Sequence, residues 1–135
     1  TYSISCTIDF PHPLIGAQSM EMEVTGEEFT TKVANARTFG FVRDLETMRI
    51  FGLAKGGSLE NAVVVDNDCV VNEEGLRYPD EFVRHKLLDC VGDFSLLGMP
   101  ILGKIVTRKS GHQFNHLFLE KFFASRDKWE TGFLV

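Results

Sequence analysis

The sequence predicts a single α+β domain, with helices layered on a mixed or antiparallel sheet. Several short segments alternate polar with apolar or β-branched residues, which is typical of strands. Two longer segments in the second half repeat apolar residues at helical spacing. The 135 residues are 44% hydrophobic, enough for one domain to bury a core. Because strands and helices are mixed along the chain, an α+β class follows.

The first third of the chain predicts an antiparallel pair of strands followed by a helix. Residues 2–10 and 17–24 both alternate, and two prolines end the first of these strands. Thr25 then has the character of an N-cap, with Glu28 as its partner in a capping box. The helix that it begins is expected to run to about Ala36.

Residues 36–66 predict a small βαβ insert. An apolar strand at 37–41 is followed by helical spacing at 44–51 and by a strongly apolar strand at 61–66. The paired glycines at 56–57 predict a tight turn, because neither glycine motif of a phosphate-binding loop surrounds them.

The second half predicts two long helices joined by a strand. A short strand at 69–72 leads to a helix over 80–94, which is amphipathic and ends before Gly98. A strand at 101–108 follows, and Ser110 is expected to cap the last helix. The apolar positions of this helix are Phe114, Leu117, Phe118 and Phe122.

Composition argues against several classes of protein. The net charge is −5 and no basic stripe is present, so no nucleic-acid partner is expected. No apolar run approaches the roughly 18 residues of a transmembrane helix. Cys6, Cys69 and Cys90 form no Cys-x-x-Cys pair, so neither a disulfide framework nor a thiolate zinc site is indicated. Reduced thiols predict a cytoplasmic location.

The helix over 80–94 carries a candidate metal site. His85, Asp89 and Asp93 follow one another at intervals of four residues, on the side opposite to the main apolar arc. Residues four apart are neighbours on a helix surface, so His85 and Asp89 could bind one metal ion. The alternative is a structural histidine hydrogen-bonded to an aspartate one turn away.

A second candidate lies at the start of the last helix. His112 would sit beside unpaired backbone N–H groups, and if protonated it could hold an oxyanion or protonate a leaving amine. The alternative is a histidine in a polar surface turn. His116 follows one turn later and completes a weaker histidine pair that could also bind metal.

The insert supplies an apolar cluster beside a hydroxyl. Thr38 is followed by Phe39 and Phe41, and Leu45 and Leu59 lie in the same predicted unit. These side chains fill the core of the βαβ unit, or else they wall a channel for a hydrocarbon chain.

Several motifs then occur in one order that together resemble a known family. The chain resembles the second half of the UDP-3-O-acyl-N-acetylglucosamine deacetylases, the zinc enzymes that commit bacteria to lipid A synthesis. The resemblance extends over nearly the whole chain. The motifs that carry it are ARTFGF (36–41), GGS (56–58), NEEGLR (72–77), DEFVRHKLLDCVGD (80–93) and KSGH (109–112).

The resemblance implies an architecture and a reaction. Residues 1–135 would form the second, carboxy-terminal domain of a two-domain enzyme, with the insert at about 36–66 and the active site between the domains. The enzyme would use Zn²⁺ to remove the N-acetyl group from acylated UDP-N-acetylglucosamine in the cytoplasm. A third zinc ligand and a glutamate base would come from the first domain.

The resemblance also implies roles for individual residues. His85 and Asp89 match two zinc ligands, and His112 matches the catalytic histidine, which Asp93 supports. Thr38 matches the hydroxyl that helps to hold the oxyanion. The expected substrate contacts are Lys86 and Lys109 on the sugar-diphosphate side, Asp9 and Phe10 in the uridine pocket, and Phe39, Phe41, Leu45 and Leu59 along the acyl-chain passage.

Two other hypotheses stay open for the chain by itself. It could be a non-catalytic module that binds an acyl-UDP-sugar or zinc without turnover, or its His and Asp residues could form only a buried polar network. The absent base and third ligand favour these for the isolated chain. The full set of motifs favours the deacetylase for the protein from which it comes.

Overall fold

A computed structural model describes residues 1–45 and 59–133 and confirms the α+β class. Helices cover a three-stranded sheet, and a two-stranded parallel sheet stands beside it. The strands are β1 Tyr2–Phe10, β2 Gly16–Glu23, β3 Thr38–Phe41, β4 Ala62–Val65 and β5 Gly103–Arg108. The helices are α1 Gly26–Glu28 with a π-helical turn at Phe29–Val33, α2 Glu81–Phe94 and α3 His112–Ala124, with 3-10 turns at Ser95–Leu97 and Arg126–Lys128.

The central strand of the larger sheet is β1, antiparallel to β2 and parallel to β5. This confirms the hairpin predicted from the alternating residues. Ile4, Cys6 and Ile8 alternate along β1 and are almost fully buried, so one face of the sheet forms the core.

Helix α1 begins as predicted but ends early. The Thr25 hydroxyl accepts a hydrogen bond from the Glu28 N–H, while the Glu28 carboxylate accepts one from the backbone of Glu23 and not from Thr25. The chain becomes π-helical and ends at Val33, short of Ala36. The cause is local, because two threonine hydroxyls in this turn donate to carbonyls four residues back, a bond that bends helices.

The insert has the predicted strand order. Strands β3 and β4 pair in parallel, with Thr38 opposite Ala62 and Phe41 opposite Val65. Residues 42–45 are helical, so the predicted helix begins two residues earlier than expected. Its remainder and the glycine turn at 56–57 lie outside the described residues.

The strand predicted at 69–72 is wrong. A single bridge joins Val65 to Val70, and no ladder continues from it. The reason is the buried Asn72 side chain, whose Oδ1 accepts from the Val64 N–H while its Nδ2 donates to the Leu59 and Ala62 carbonyls. The side chain therefore occupies backbone groups that a further strand would use.

Helix α2 packs its apolar arc on the sheet as predicted. Val83, Leu87, Cys90 and Phe94 are at most 2% exposed. The chain leaves the helical region at Gly98, whose φ of 78° suits glycine. No helix in the described ranges is long and apolar enough to cross a membrane.

Helix α3 departs from the prediction at its cap, and its buried face is not its most apolar one. Its N-cap is Gly111, without a side-chain hydrogen bond, so the prediction of Ser110 as the cap is wrong. The buried residues of the helix are Asn115 and Leu119, whereas Phe114 and Leu117 are 69% and 54% exposed. Hydrophobicity alone would favour the aromatic residues, and not an asparagine, for the buried face. Two of these aromatics do make ring contacts, Phe118 with Phe94 and Phe122 with Trp129.

A buried ion pair joins the insert to α2. The Arg37 guanidinium donates to both oxygens of Glu81 at 2.9 and 3.0 Å, and Glu81 is 0% exposed. Arg37 also donates to Glu74 and to the Gly75 carbonyl. Burial raises the pKa of Glu81, but the hydrogen bonds from Arg37 and from the backbone outweigh it, so the pKa lies below its ordinary value of 4.5. The pair sets the position of β3, which begins at the next residue.

This depressed pKa predicts a pH dependence of stability. A carboxylate with a lowered pKa stabilises the fold above its unfolded pKa, and the stabilisation is lost as pH falls through the folded pKa. We expect Glu81→Gln to be less stable than wild type at pH 7. The difference in their free energies of unfolding should become smaller as the pH falls below 4.5. Denaturant unfolding at a series of pH values measures it, with Glu21→Gln in an exposed ion pair as the control. A difference in the free energy of unfolding that stays constant down to strongly acidic pH would contradict the prediction.

Candidate active site

Three polar side chains of α2 lie in a row on the side of the helix opposite to its apolar arc. His85, Asp89 and Asp93 are spaced four residues apart, and their side chains are only 15%, 20% and 13% exposed. Such partial burial strengthens their mutual electrostatic interactions relative to those in open water.

The His85 ring is oriented by the backbone. Its Nδ1 lies 3.0 Å from the Ala36 carbonyl, so Nδ1–H donates there and Nε2 faces Asp89 Oδ1 at 3.3 Å. Burial lowers the pKa of His85, but the hydrogen bonds with Asp89 and Ala36 together raise it above its ordinary value. The carbonyl comes from the segment leading into β3, so the insert and α2 jointly position this imidazole.

His112 joins the same group from α3. Its Nδ1 lies 2.8 and 3.0 Å from the two oxygens of Asp93, and its Nε2 lies 3.8 Å from Asp89 Oδ2. A carboxylate only accepts, so Nδ1 carries the hydrogen and Nε2 is directed towards Asp89. The Asp89 carboxylate thus faces one imidazole with each oxygen. The structure thus brings together His85, Asp89, Asp93 and His112, whereas His116, the weaker metal candidate, is exposed one turn further along α3.

The donors fit part of a zinc site. Imidazole and carboxylate are ordinary zinc ligands, and a metal-binding histidine commonly donates its other N–H to a carbonyl, as His85 does. Two atoms that each lie about 2.0–2.1 Å from a tetrahedral zinc are about 3.3 Å apart. His85 Nε2 and Asp89 Oδ1 have this separation, 3.3 Å. Across residues 1–45 and 59–133, no group of three or more His, Cys, Asp or Glu side chains could hold a metal alone.

The predicted apolar residues only partly gather. The rings of Phe10, Phe39 and Phe41 contact one another with centroids 5.6–6.3 Å apart, and Phe39 packs on the buried Phe82 at 5.0 Å. Phe10 was expected in the uridine pocket but lies in the same cluster as the two residues expected along the acyl-chain passage. Among the expected lining residues, Leu45 lies over Gly40 and Leu59 is 48% exposed.

The two predicted lysines occupy different positions. Lys86 Nζ lies 5.9 Å from the centre of the Phe39 ring, a cation–π distance. Lys109 Nζ lies 3.9 Å from Asp9 Oδ2, so two expected substrate contacts meet at the end of β1. Lys109 has a φ of 52°, an uncommon conformation for a residue other than glycine, three residues before His112. Thr38 is exposed at the start of β3.

Sequence reasoning missed two residues that hold this site. Arg37 was treated only as part of a motif, although its ion pair with Glu81 ties the insert to α2. Asn115 was not considered, yet it donates to Asp93 Oδ2 at 2.9 Å. The signal for Asn115 was its spacing, since it lies three residues after His112 on the same side of a helix.

Comparison with known proteins identifies the family. The family model described as UDP-3-O-acyl N-acetylglycosamine deacetylase matches residues 1–124. The chain belongs to this deacetylase family. A protein of Myxococcus xanthus named UDP-3-O-acyl-N-acetylglucosamine deacetylase is 49% identical over 129 residues, which are 96% of this chain and 41% of the relative. One of Anaeromyxobacter dehalogenans with the same name is 54% identical over 123 residues, 91% of this chain and 40% of the relative.

The family assignment confirms the resemblance drawn from the motifs. The chain spans about two fifths of the length of the curated relatives it matches. Its place as the second of two domains, and the roles of its individual residues, stay predictions.

Proposed function

We propose that this chain is part of a zinc-dependent deacetylase that removes the N-acetyl group from acylated UDP-N-acetylglucosamine in lipid A biosynthesis. The observation that carries the proposal is the arrangement of His85 and His112 around Asp89, in a chain of the deacetylase family. Two imidazoles directed at one carboxylate suit a metal site with an acid–base residue beside it.

In this proposal His85 Nε2 and the Asp89 carboxylate are two zinc ligands. When bound, zinc would polarise the acetamide carbonyl and lower the pKa of a water molecule. The Ala36 carbonyl keeps the His85 ring in the tautomer whose Nε2 is free to bind.

His112 would act on the proton and on the developing charge. Asp93 anchors its Nδ1, so a proton on Nε2 is directed towards Asp89 and the reacting group beside it. A protonated Nε2 can stabilise the oxyanion and then pass its proton to the leaving amine nitrogen. The Thr38 hydroxyl, exposed at the start of β3, would donate a further hydrogen bond to the oxyanion.

The surrounding residues would bind the rest of the substrate. Lys86 and Lys109 carry charges suited to the diphosphate. Asp9 and Phe10 would contact the uridine. The ring cluster that includes Phe39 and Phe41, with Leu45 and Leu59, would face the acyl chain, because aromatic rings bury apolar surface without needing polar partners.

The remaining ligand and the general base would come from a separate domain of the same enzyme. Phe114 and Leu117 on α3 leave an exposed apolar surface close to His112, of the kind that another domain covers. Three free thiols support a reducing, cytoplasmic compartment.

Metal analysis of the complete protein tests the proposal. We expect His85→Ala and Asp89→Ala each to lower zinc content and to abolish deacetylation of the acylated UDP-sugar, because each removes a ligand. Elemental analysis after dialysis measures the zinc. His116→Ala, one turn beyond His112 on α3, is the matched control and should keep the zinc content and the activity of the wild type. Full zinc and full activity in His85→Ala would overturn the ligand assignment.

A second function is favoured by one observation, for the chain without the rest of the enzyme. Only two of the described side chains, His85 and Asp89, are placed here as zinc ligands, and their atoms lie 3.3 Å apart. Without the remaining ligand and the general base, the isolated chain would bind acyl-UDP-sugar or zinc without turnover. Calorimetry that shows the isolated chain binding the acylated UDP-sugar or zinc, with no deacetylated amine product formed, would support this. Turnover by the isolated chain would exclude it.

A further inference from the structure

We propose that Asn115 is a positioning residue, which holds the Asp93 carboxylate in the orientation that anchors His112. The inference rests on the proposed function, because it matters for the rate only if His112 acts in the reaction. Asn115 itself is buried, and its side chain contacts Asp93 and not the exposed His112 ring.

The burial of Asn115 calls for an explanation. It is 3% exposed, and it shares the buried face of α3 with Leu119. A buried amide costs free energy unless its hydrogen bonds are made, whereas an apolar side chain would pack there without that cost. Packing alone therefore does not account for an asparagine at this position.

The contacts of Asn115 point to Asp93. Its Nδ2 donates to Asp93 Oδ2 at 2.9 Å, and the Cys90 sulfur lies 3.9 Å from the same nitrogen. Asp93 is thereby held by two donors, Asn115 Nδ2 and His112 Nδ1. With His112 as its only donor, the carboxylate could rotate about its terminal bond and carry the ring with it. The second donor fixes that rotation.

The two donors belong to one turn of helix. The Asn115 backbone N–H donates to the Gly111 carbonyl at 2.9 Å, directly before His112. The helical turn that carries the His112 imidazole therefore also carries the Asn115 amide, and both donate hydrogen bonds to the Asp93 carboxylate on α2. Because the His112 side chain is 66% exposed, its hydrogen bond to Asp93 is the main restraint on the ring among its described contacts. Losing Asn115 should let the ring move away from Asp89.

A double-mutant cycle in the complete, zinc-loaded protein tests the inference. Asn115→Leu, Asp93→Ala and the double variant are compared by kcat and KM for the acylated UDP-sugar. We expect Asn115→Leu to lower kcat by about 10- to 100-fold, the usual effect of removing an orienting partner, with KM and zinc content little changed. In the Asp93→Ala background the same substitution should change kcat by less than about twofold, because its target is gone.

Leu119→Ala is the control, since it opens the same buried face one turn away without touching Asp93. It should lower the melting temperature and leave kcat unchanged below that temperature. If Asn115→Leu does not fold, Asn115→Ala replaces it in the same cycle. An equal loss of kcat in both backgrounds, a wild-type kcat, or a similar kcat loss in Leu119→Ala would overturn the positioning role. If Asp93→Ala itself keeps full kcat, the proposed function of the pair fails and this inference falls with it.

Discussion

Replacing His112 by alanine is expected to lower kcat by about 10²- to 10⁴-fold, the range of positioned acid–base groups. Its Nδ1 is held by Asp93 and its Nε2 is directed towards Asp89, 3.8 Å away. Without the imidazole, neither the oxyanion nor the leaving amine receives a proton donor from this chain. The zinc ligands proposed on α2 are untouched, so zinc content should stay at the wild-type level. Steady-state rates with the acylated UDP-sugar and elemental analysis measure the two effects.

The control for this experiment lies on the same helix. His116→Ala removes an exposed imidazole one turn further along and should leave kcat close to wild type. Asp93→Ala should lower kcat less than His112→Ala, because it releases the ring without removing it. A wild-type kcat in His112→Ala would exclude acid–base action by this histidine, and loss of zinc would assign it to the metal instead.

Replacing Arg37 by methionine is expected to destabilise the fold by about 3–5 kcal/mol, the cost of leaving a buried charge without its partner. Glu81 is 0% exposed and receives three hydrogen bonds from Arg37, two from the side chain and one from the backbone. The backbone bond would remain, but the carboxylate would lose its counter-charge. Such a loss is a large part of the roughly 5–15 kcal/mol that stabilises a typical domain. Denaturant unfolding of the complete protein measures it.

An exposed ion pair of the same chain provides the comparison. Lys104 and Glu21 are 2.8 Å apart, with side chains 49% and 52% exposed. Lys104→Met should therefore cost less than about 1 kcal/mol. The double variant Arg37→Met, Glu81→Leu should regain much of the lost stability, since it no longer buries an unpaired charge. Equal costs for Arg37→Met and Lys104→Met would contradict this account of the buried pair.

The parts of the fold that follow from periodicity could be predicted. Strand β1 buries alternate residues, and helix α2 buries Val83, Leu87, Cys90 and Phe94 at helical spacing, so both patterns are visible in the sequence. Elements decided by a single side chain could not. The Asn72 amide replaces the bonds of an expected strand, and Asn115 takes a buried position on α3 that hydrophobicity would assign to Phe114 or Leu117.

The site divides in the same way. His85, Asp89 and Asp93 share one helix, so their spacing alone brings them into line. The approach of His112 from α3 depends on how two helices pack, and spacing within one helix does not carry that information. The resemblance to the deacetylases supplied it instead, and the structure places His112 Nδ1 2.8 Å from Asp93. A tertiary partner is equally hidden from the local pattern: Arg37 is 44 residues away in the sequence from Glu81, which it binds.

The position of the metal tests the central claim most directly. A crystal of the complete protein, measured at the zinc absorption edge, would locate zinc by its anomalous signal. The account predicts one strong peak about 2.0–2.2 Å from both His85 Nε2 and an Asp89 carboxylate oxygen. A peak bound by other side chains, with His85 still paired only to Asp89, would contradict it.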